Sequence, residues 1–180
     1  MSDQASAYSP GARLAHWLTA VLLLALFGLG LSMTRFIEGD AKLRVYRWHE
    51  WVGLTAFAVT AFRLYWRTVR KPPPLALPRF ERIARRLVHG AIYLVLIVQP
   101  VVGWMMSTAF GFPVNYLGVI ALPEPVPVDR ALAERLQWVH FTLAMTLLGL
   151  FTAHMGGVLF HHLIRQDTLL QRMLPRVERR

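Results

Sequence analysis

The stretch LQWVHFTLAMTLLGLFTAHMGGVLFHHLI, from Leu136 to Ile164, decides the fold. It is longer than the roughly 20 apolar residues that cross a bilayer, and it contains no Asp, Glu, Lys or Arg. Within it, His140 and His154 are separated by a step of 14 residues. In a helix, that step is about 21 Å along the axis and returns to within about 40° of the same face. The stretch therefore predicts a transmembrane helix that presents two imidazoles at two depths.

Three further apolar stretches precede this one. Charged residues are absent from 14 to 34 and from 87 to 123, and they are sparse from 48 to 66. The chain of 180 residues is 55% hydrophobic and 17% charged, with a mean hydropathy of +0.40, which is typical of a membrane domain. We predict a single all-α domain over residues 1–180, an integral membrane four-helix bundle. Its helices are expected at about 14–34, 48–66, 87–109 and 136–163.

The net charge of +10 is distributed by side of the membrane. The N-terminus, the second connection (67–86) and the tail share one side, and the first (35–47) and third (110–135) connections share the other. The first side carries Arg13, Arg63, Arg67, Arg70, Lys71, Arg79, Arg82, Arg85, Arg86, Arg165, Arg172, Arg176, Arg179 and Arg180. The second side carries Arg35, Lys42, Arg44, Arg47, Arg130 and Arg135.

This bias predicts that both termini are cytoplasmic, by the positive-inside rule. The basic residues then serve orientation and contact with anionic membrane lipid, so we expect no nucleic acid partner. The expected location is the bacterial inner (cytoplasmic) membrane, as a multi-pass protein.

The histidines are the candidate ligands, because the chain has no cysteine. That absence excludes disulfides, iron–sulfur clusters, Cys-based zinc sites and covalent C-x-x-C-H haem attachment. Alternate helices run in opposite directions, so His49 and His140 lie at the outer level and His16 and His154 at the inner level. Paired imidazoles at two depths are typical of two non-covalent b haems. The alternatives are hydrogen-bonded packing histidines, or zinc or copper.

Several segments in order along the chain resemble the prokaryotic cytochrome b561 family, and the resemblance covers nearly the whole chain. They are Arg13-Leu-Ala-His16-Trp17-Leu18, Trp48-His49-Glu50-x-x-Gly53, His89-x-x-Ile92-Tyr93-Leu94 with Gln99-Pro100-Val-x-Gly103, Trp138-x-His140 with His154, and His161-His162 before Asp167-Thr168-Leu169-Leu170-x-Arg172-Met173-x-Pro175. This family consists of small four-helix dihaem membrane cytochromes and includes superoxide:ubiquinone oxidoreductases.

The resemblance implies axial ligation of one haem iron by His16 and His154 and of the other by His49 and His140. By depth alone, His89 competes with His16 for the inner iron, and the preference for His16 comes from the resemblance. The implied activity is that of a superoxide oxidase, an oxidoreductase that takes electrons from superoxide at the periplasmic side. Ubiquinone is the implied electron acceptor near the cytoplasmic side, and no residue beyond the haems is implied to be catalytic.

Two sets of residues are candidates for substrate access. His89, His161 and His162 are candidates for a quinone site, where histidine is suited to exchange protons. Lys42, Arg44 and Arg47 lead into His49 and are candidates for steering a small anion. The expected donor at this basic region, the outer mouth of the bundle, is superoxide or another one-electron donor. One alternative function is a haem-b membrane anchor that passes electrons between a partner dehydrogenase or hydrogenase and quinone. Another is a transporter or scaffold without redox activity, whose histidines serve packing.

Overall fold

Four long helices and one small hairpin make up the chain in a computed structural model that describes residues 7–71, 74 and 77–174. The helices are α1 (Pro10–Arg35), α2 (Gly39–Val69), α3 (Arg79–Ala109) and α4 (Arg130–Leu159), and α4 continues into a π-helical turn, Phe160–Ile164. The expected four-helix architecture is confirmed. The antiparallel hairpin of β1 (Asn115–Tyr116) and β2 (Ile120–Ala121) was not predicted. Pro175, Arg176, Arg179 and Arg180 lie outside the described residues.

The helices extend beyond the apolar stretches that predict them. The expected connection over 35–47 is mostly helix, since α2 begins at Gly39. Its first turns contain Ala, Lys, Leu and Arg, which all favour helix, but the charged residues among them lower the mean hydropathy, so hydropathy detects only the part suited to hydrocarbon. Polar caps fix two of the other helix starts: Ser9 accepts a hydrogen bond from the backbone N–H of Ala12, and Asp129 accepts one from Leu132.

Three of the helical segments are long and apolar enough to cross a membrane: Pro10–Arg35, Arg79–Ala109 and Arg130–Ile164. α2 is the exception, because it carries charged residues at both ends and Glu50 and Arg63 in between. It packs against both α1 and α3, and α3 packs against α4. A buried cluster of Leu23, Val95, Leu96 and Leu147 joins α1, α3 and α4 at mid-depth.

Two segments outside the helices cover the ends of the bundle. At the end that carries the hairpin, which is expected to be periplasmic and is called the outer end, the backbone carbonyl of Asn115 accepts a hydrogen bond of 2.8 Å from the Trp51 indole. The Tyr116 hydroxyl lies 2.9 Å from the Thr55 hydroxyl. At the inner end, the chain after α4 folds back onto the start of α1, where Trp17 donates to the Met173 carbonyl at 3.0 Å.

Candidate functional site

The outer histidines come from α2 and α4 and face each other. The ring centres of His49 and His140 are 6.2 Å apart, with the ring planes at 66°. Glycines from the other two helices lie beside them: a Cβ atom on Gly30 would be 3.6 Å from His49 Cε1, and one on Gly103 would be 3.0 Å from His140 Cε1. Each imidazole therefore packs directly against the backbone of a neighbouring helix at a glycine, which has no side chain.

The inner histidines come from three helices. The ring centres of His16 on α1 and His154 on α4 are also 6.2 Å apart, with ring planes at 70°. His89 on α3 lies nearer to His154, with 5.0 Å between ring centres. Its Nδ1 is 2.8 Å from the Arg85 carbonyl, one turn earlier in the same helix. The structure thus brings together both predicted pairs and places His89 beside the inner one.

The spacing within each pair suits one metal ion between two imidazoles. An imidazole nitrogen lies about 2.0 Å from a bound metal, so two facing rings on one metal have centres about 6 Å apart. The 6.2 Å pairs meet this requirement, whereas the 5.0 Å separation of His89 and His154 is shorter. In the part of the chain that the structure describes, no group of three His, Asp or Glu side chains is placed to hold a bare metal ion.

Buried ring nitrogens provide a second test of fit to a haem. The Nδ1 atoms of His49 and His140 are buried without a hydrogen-bond partner. An imidazole that binds metal through Nε2 keeps its proton on Nδ1 and usually donates it to a backbone carbonyl or a carboxylate. The nearby backbone carbonyls of Leu26 and Gln99 can take this role for His49 and His140, which leaves Nε2 for the metal. The outer pair fits a group held between the two Nε2 atoms.

The surroundings of seven glycines in the helices differ; these are Gly28, Gly30, Gly53, Gly103, Gly149, Gly156 and Gly157. Gly30 and Gly103 contact the histidine rings themselves, and Gly53 faces Leu26. A Cβ atom on any of the others would meet no protein atom within 4 Å. Those others are Gly28, Gly149, Gly156 and Gly157.

All four helices place the candidate site residues at steps of seven, a regularity that was not predicted from the sequence. Seven residues rise about 10.5 Å and return to within about 20° of the same face. The sets are His16, Leu23 and Gly30 in α1; His49, Ala56 and Arg63 in α2; His89, Leu96 and Gly103 in α3; and His140, Leu147 and His154 in α4. Because neighbouring helices alternate in direction, these sets form three layers.

The layers differ in chemistry. The outer layer has two histidines and two glycines, and the middle layer has three leucines and an alanine. The inner layer has three histidines and Arg63, whose Nη2 is 3.1 Å from His16 Nδ1. Arg63 could have been found from the sequence, because it is the one basic residue inside an apolar stretch and lies two heptads after His49.

The outer mouth is less uniformly basic than its sequence indicates. Lys42 is one heptad before His49, on the same face of α2, and is half-buried. Arg44 and Arg47 are exposed and point elsewhere around the helix. Glu50, next to His49, accepts a hydrogen bond of 2.6 Å from the Ser107 hydroxyl. Among the three candidates for anion steering, Lys42 is thus the one aligned with the outer histidines.

The inner mouth separates the candidate quinone residues. His161 Nδ1 lies 2.6 Å from Asp167 Oδ2, and its Nε2 lies 3.9 Å from Glu81 Oε2. Arg165 forms an ion pair with Glu81. His162, in contrast, is exposed, and no hydrogen bond or ion pair of its side chain is found among the described residues. His89 belongs to the inner histidine layer instead.

Asp167 is held in its ionised form. Burial acts to raise the pKa of this carboxyl, but the Leu169 backbone N–H, the His161 imidazole and the charge of Arg165 outweigh it and lower the pKa below its usual value. The carboxylate is therefore available to orient His161 across the physiological pH range.

Comparisons with known proteins agree with this architecture. The family model described as prokaryotic cytochrome b561 matches residues 7–176. The chain is 32% identical to cytochrome b561 homolog 2 of Escherichia coli K12 over 163 residues, which cover 88% of this chain and 86% of that protein. It is 26% identical to cytochrome b561 homolog 1 of the same organism, covering 89% and 93% of the two chains. It is 24% identical to the probable superoxide oxidase CybB of Yersinia pestis, covering 89% and 92%.

Proposed function

Since the chain belongs to the prokaryotic cytochrome b561 family of membrane haem proteins that transfer electrons, we propose that it carries electrons from superoxide at the periplasmic side to ubiquinone near the cytoplasmic side. Two superoxide anions give two molecules of dioxygen and two electrons. One ubiquinone takes up these electrons with two protons and becomes ubiquinol. The observation that carries this proposal is the presence of two histidine pairs at two depths in the bundle, each with 6.2 Å between ring centres.

We assign His49 and His140 to the outer haem b and His16 and His154 to the inner one. When bound, haem supplies one-electron chemistry that no side chain of this protein offers. The protein's part is to hold the two imidazoles of each pair at the distance that one iron requires, and in the outer pair to seat the rings against the glycines of α1 and α3. Leu23, Leu96 and Leu147 form an apolar layer between the two pairs, which excludes water and ions from the interior of the bundle.

Two observations support superoxide as the donor: the positive charge of Lys42 and the similarity to a named relative. Lys42, on the His49 face of α2, offers a positive charge above the outer pair, where it attracts a small anion. The Yersinia pestis relative is named a probable superoxide oxidase. These two observations favour superoxide over a neutral donor at this mouth.

The choice of the inner mouth for ubiquinone is supported by its proton chemistry. His161 lies between the carboxylates of Asp167 and Glu81, so its imidazole is oriented and has acidic neighbours that stabilise a transferred proton. We propose that His161 exchanges protons with the quinone. His162 remains a weaker candidate because it is exposed, and His89 is an alternative ligand of the inner haem.

Absorption spectroscopy with a pyridine haemochrome assay on detergent-purified protein tests this function. We expect about two haem b per chain with six-coordinate, low-spin spectra. Superoxide is expected to reduce them and a soluble ubiquinone analogue to reoxidise them. Protein that contains no haem despite ample haem supply would overturn the proposal. Haems that do not react with superoxide, in protein that copurifies with a dehydrogenase or hydrogenase subunit, would favour the membrane-anchor function.

Single substitutions test the ligand assignment. His49→Ala and His140→Ala are expected to remove the same outer haem, because each leaves one imidazole for the iron, and His16→Ala and His154→Ala the inner one. His89→Ala is expected to leave both irons six-coordinate. Haem content and electron paramagnetic resonance spectra of the five variants measure this. Loss of the inner haem in the His89 variant, with its retention in the His16 variant, would reverse the roles of α1 and α3.

A further inference from the structure

Arg63 is a charged residue in the interior of the bundle. Its side chain is half-buried in the inner layer, two heptads from His49 on α2. Its Nη2 lies 3.1 Å from His16 Nδ1, and its Cζ lies 5.3 Å from the centre of the Tyr93 ring. Placing an ionised side chain at such depth costs free energy, so charged residues there usually have a partner and mark a functional site.

Within the described residues, the partners of Arg63 are His16 and Tyr93, and neither is a carboxylate. In the described ranges, the acidic residues near the inner end are Glu81 and Asp167, and they are engaged with Arg165 and His161. No ion pair among the described residues joins Arg63 to a carboxylate. On the facing helix α3, Arg85 has a buried Nε without a hydrogen-bond partner. Two guanidinium groups around the inner histidines are therefore available to bind an anion.

The hydrogen bond to His16 narrows the choice of anion. A guanidinium can only donate, so in this contact Nδ1 of His16 accepts and the ring proton is on Nε2. A histidine that binds iron through Nε2 carries its proton on Nδ1, where it cannot accept from Arg63. Once His16 binds iron, Arg63 must find another acceptor close by. Haem b brings two carboxylates, which match the planar fork of a guanidinium.

We propose that Arg63, assisted by Arg85, binds the propionate carboxylates of the inner haem. This inference rests on the proposed function, because it requires a haem at the inner pair. The other anion of suitable chemistry is a lipid phosphate. The geometry favours the propionates, because Arg63 contacts a candidate ligand within the bundle, whereas the neighbouring Arg67 and Arg70 are exposed where headgroups are accessible.

The rate of haem loss is the primary measurement. Transfer of the inner haem to excess apomyoglobin is expected to be at least about tenfold faster in Arg63→Gln, because charge-assisted hydrogen bonds are lost. Arg63→Lys keeps the charge, and its rate of haem loss is expected to lie between those of the native chain and Arg63→Gln. Arg67→Gln, one turn further along α2 and exposed, is the matched control and is expected to behave as the native chain.

Reconstitution with haem dimethyl ester separates the two anions. In the ester the propionates are uncharged, so the native chain and Arg63→Gln are expected to lose the ester at the same rate. The effects of esterification and of the substitution on the rate of haem loss are therefore expected to be non-additive. If Arg63 binds a lipid phosphate instead, the substitution will accelerate loss of both haem forms equally, which would overturn the proposal. Unchanged loss of native haem in Arg63→Gln would do the same.

Redox potential gives a second readout that does not depend on turnover. Removing a positive charge near the iron favours the oxidised state, so Arg63→Gln is expected to lower the midpoint potential of the inner haem and leave the outer one unchanged. A tenfold change in the equilibrium corresponds to about 59 mV for one electron. A native chain with two haems but no effect of Arg63→Gln on either readout would defeat this inference alone. A native chain without haem would defeat the proposed function itself.

Discussion

At the scale of single residues, the histidine pairs differ in the residues that contact their rings. Depth in the membrane is readable from sequence and groups His49 with His140, but by depth His16 and His89 are equal candidates to pair with His154. The contacts that orient each ring come from other helices, as with Gly103 against His140 and Arg63 against His16. Such contacts depend on helix rotation and packing, which a single sequence does not specify.

Gly103 and Gly30 make a matched pair for testing this packing. A Cβ atom on Gly103 would lie 3.0 Å from His140 Cε1, closer than ordinary contact, whereas one on Gly30 would lie 3.6 Å from His49 Cε1. Gly103→Ala is expected to displace the His140 ring, with a cost to stability of about 1–3 kcal/mol and reduced retention of the outer haem. Gly30→Ala is expected to be neutral or slightly stabilising, because alanine favours helix. Thermal unfolding and haem content measure both.

Asp167 permits a prediction with a defined pH window. Its lowered pKa means that its charged contacts stabilise the inner end above about pH 4 and are lost only as the pH falls through the lowered value. Asp167→Asn is expected to slow reoxidation by a ubiquinone analogue about tenfold, since His161 loses a charged partner. Reduction by superoxide should not change. Stopped-flow traces between pH 5 and 8 would measure this.

His162→Ala is the control for Asp167→Asn, because His162 is exposed and adjacent to His161. Reoxidation at the native rate is expected in that variant. If His162→Ala slows reoxidation and Asp167→Asn does not, the proton exchange belongs to His162.

At the scale of helices, hydropathy locates the part of each element that lies in hydrocarbon but not its ends. α2 shows this most clearly, since it starts nine residues before the expected helix and its polar first turn carries Lys42. Because this segment is helical, Lys42 lies on the same face as His49, whereas Arg44 and Arg47 lie on other faces. A loop in this region would have left the three cations equivalent, so the helix is what singles out Lys42.

Lys42 and Arg44 therefore provide a test of steering at the outer mouth. Lys42→Gln is expected to lower the second-order rate of haem reduction by superoxide several-fold at low salt, and Arg44→Gln to have little effect. The difference is expected to shrink as ionic strength rises, because screening over about 8–10 Å at 0.1–0.15 M salt weakens the attraction. Pulse radiolysis at several salt concentrations measures it. Equal rates in both variants at low salt would exclude a steering role for Lys42.

At the scale of the whole molecule, seven-residue steps on four helices produce three layers with different chemistry. The alternating direction of the helices is what places His16 beside His154 and Gly30 beside His49. The hairpin of β1 and β2 covers the outer end, and the segment after α4 covers the inner end. The bundle was predictable from apolar length, but the two covers were not, because they are fixed by tertiary hydrogen bonds from Trp51 and Trp17.

Orientation in the membrane gives the last prediction. The side with the termini carries fourteen Lys and Arg residues and the other side six, so the positive-inside rule predicts that the hairpin is periplasmic. The chain has no cysteine, so single cysteines can be introduced cleanly at Val119, which is 83% exposed in the hairpin, and at Lys71, which is exposed after α2. In cells with a permeabilised outer membrane, an impermeant maleimide is expected to label Val119→Cys at once and Lys71→Cys only after lysis. The reverse pattern would put Lys42 and the outer histidine pair at the cytoplasmic side of the membrane, away from periplasmic superoxide, and the proposed quinone site at the periplasmic side.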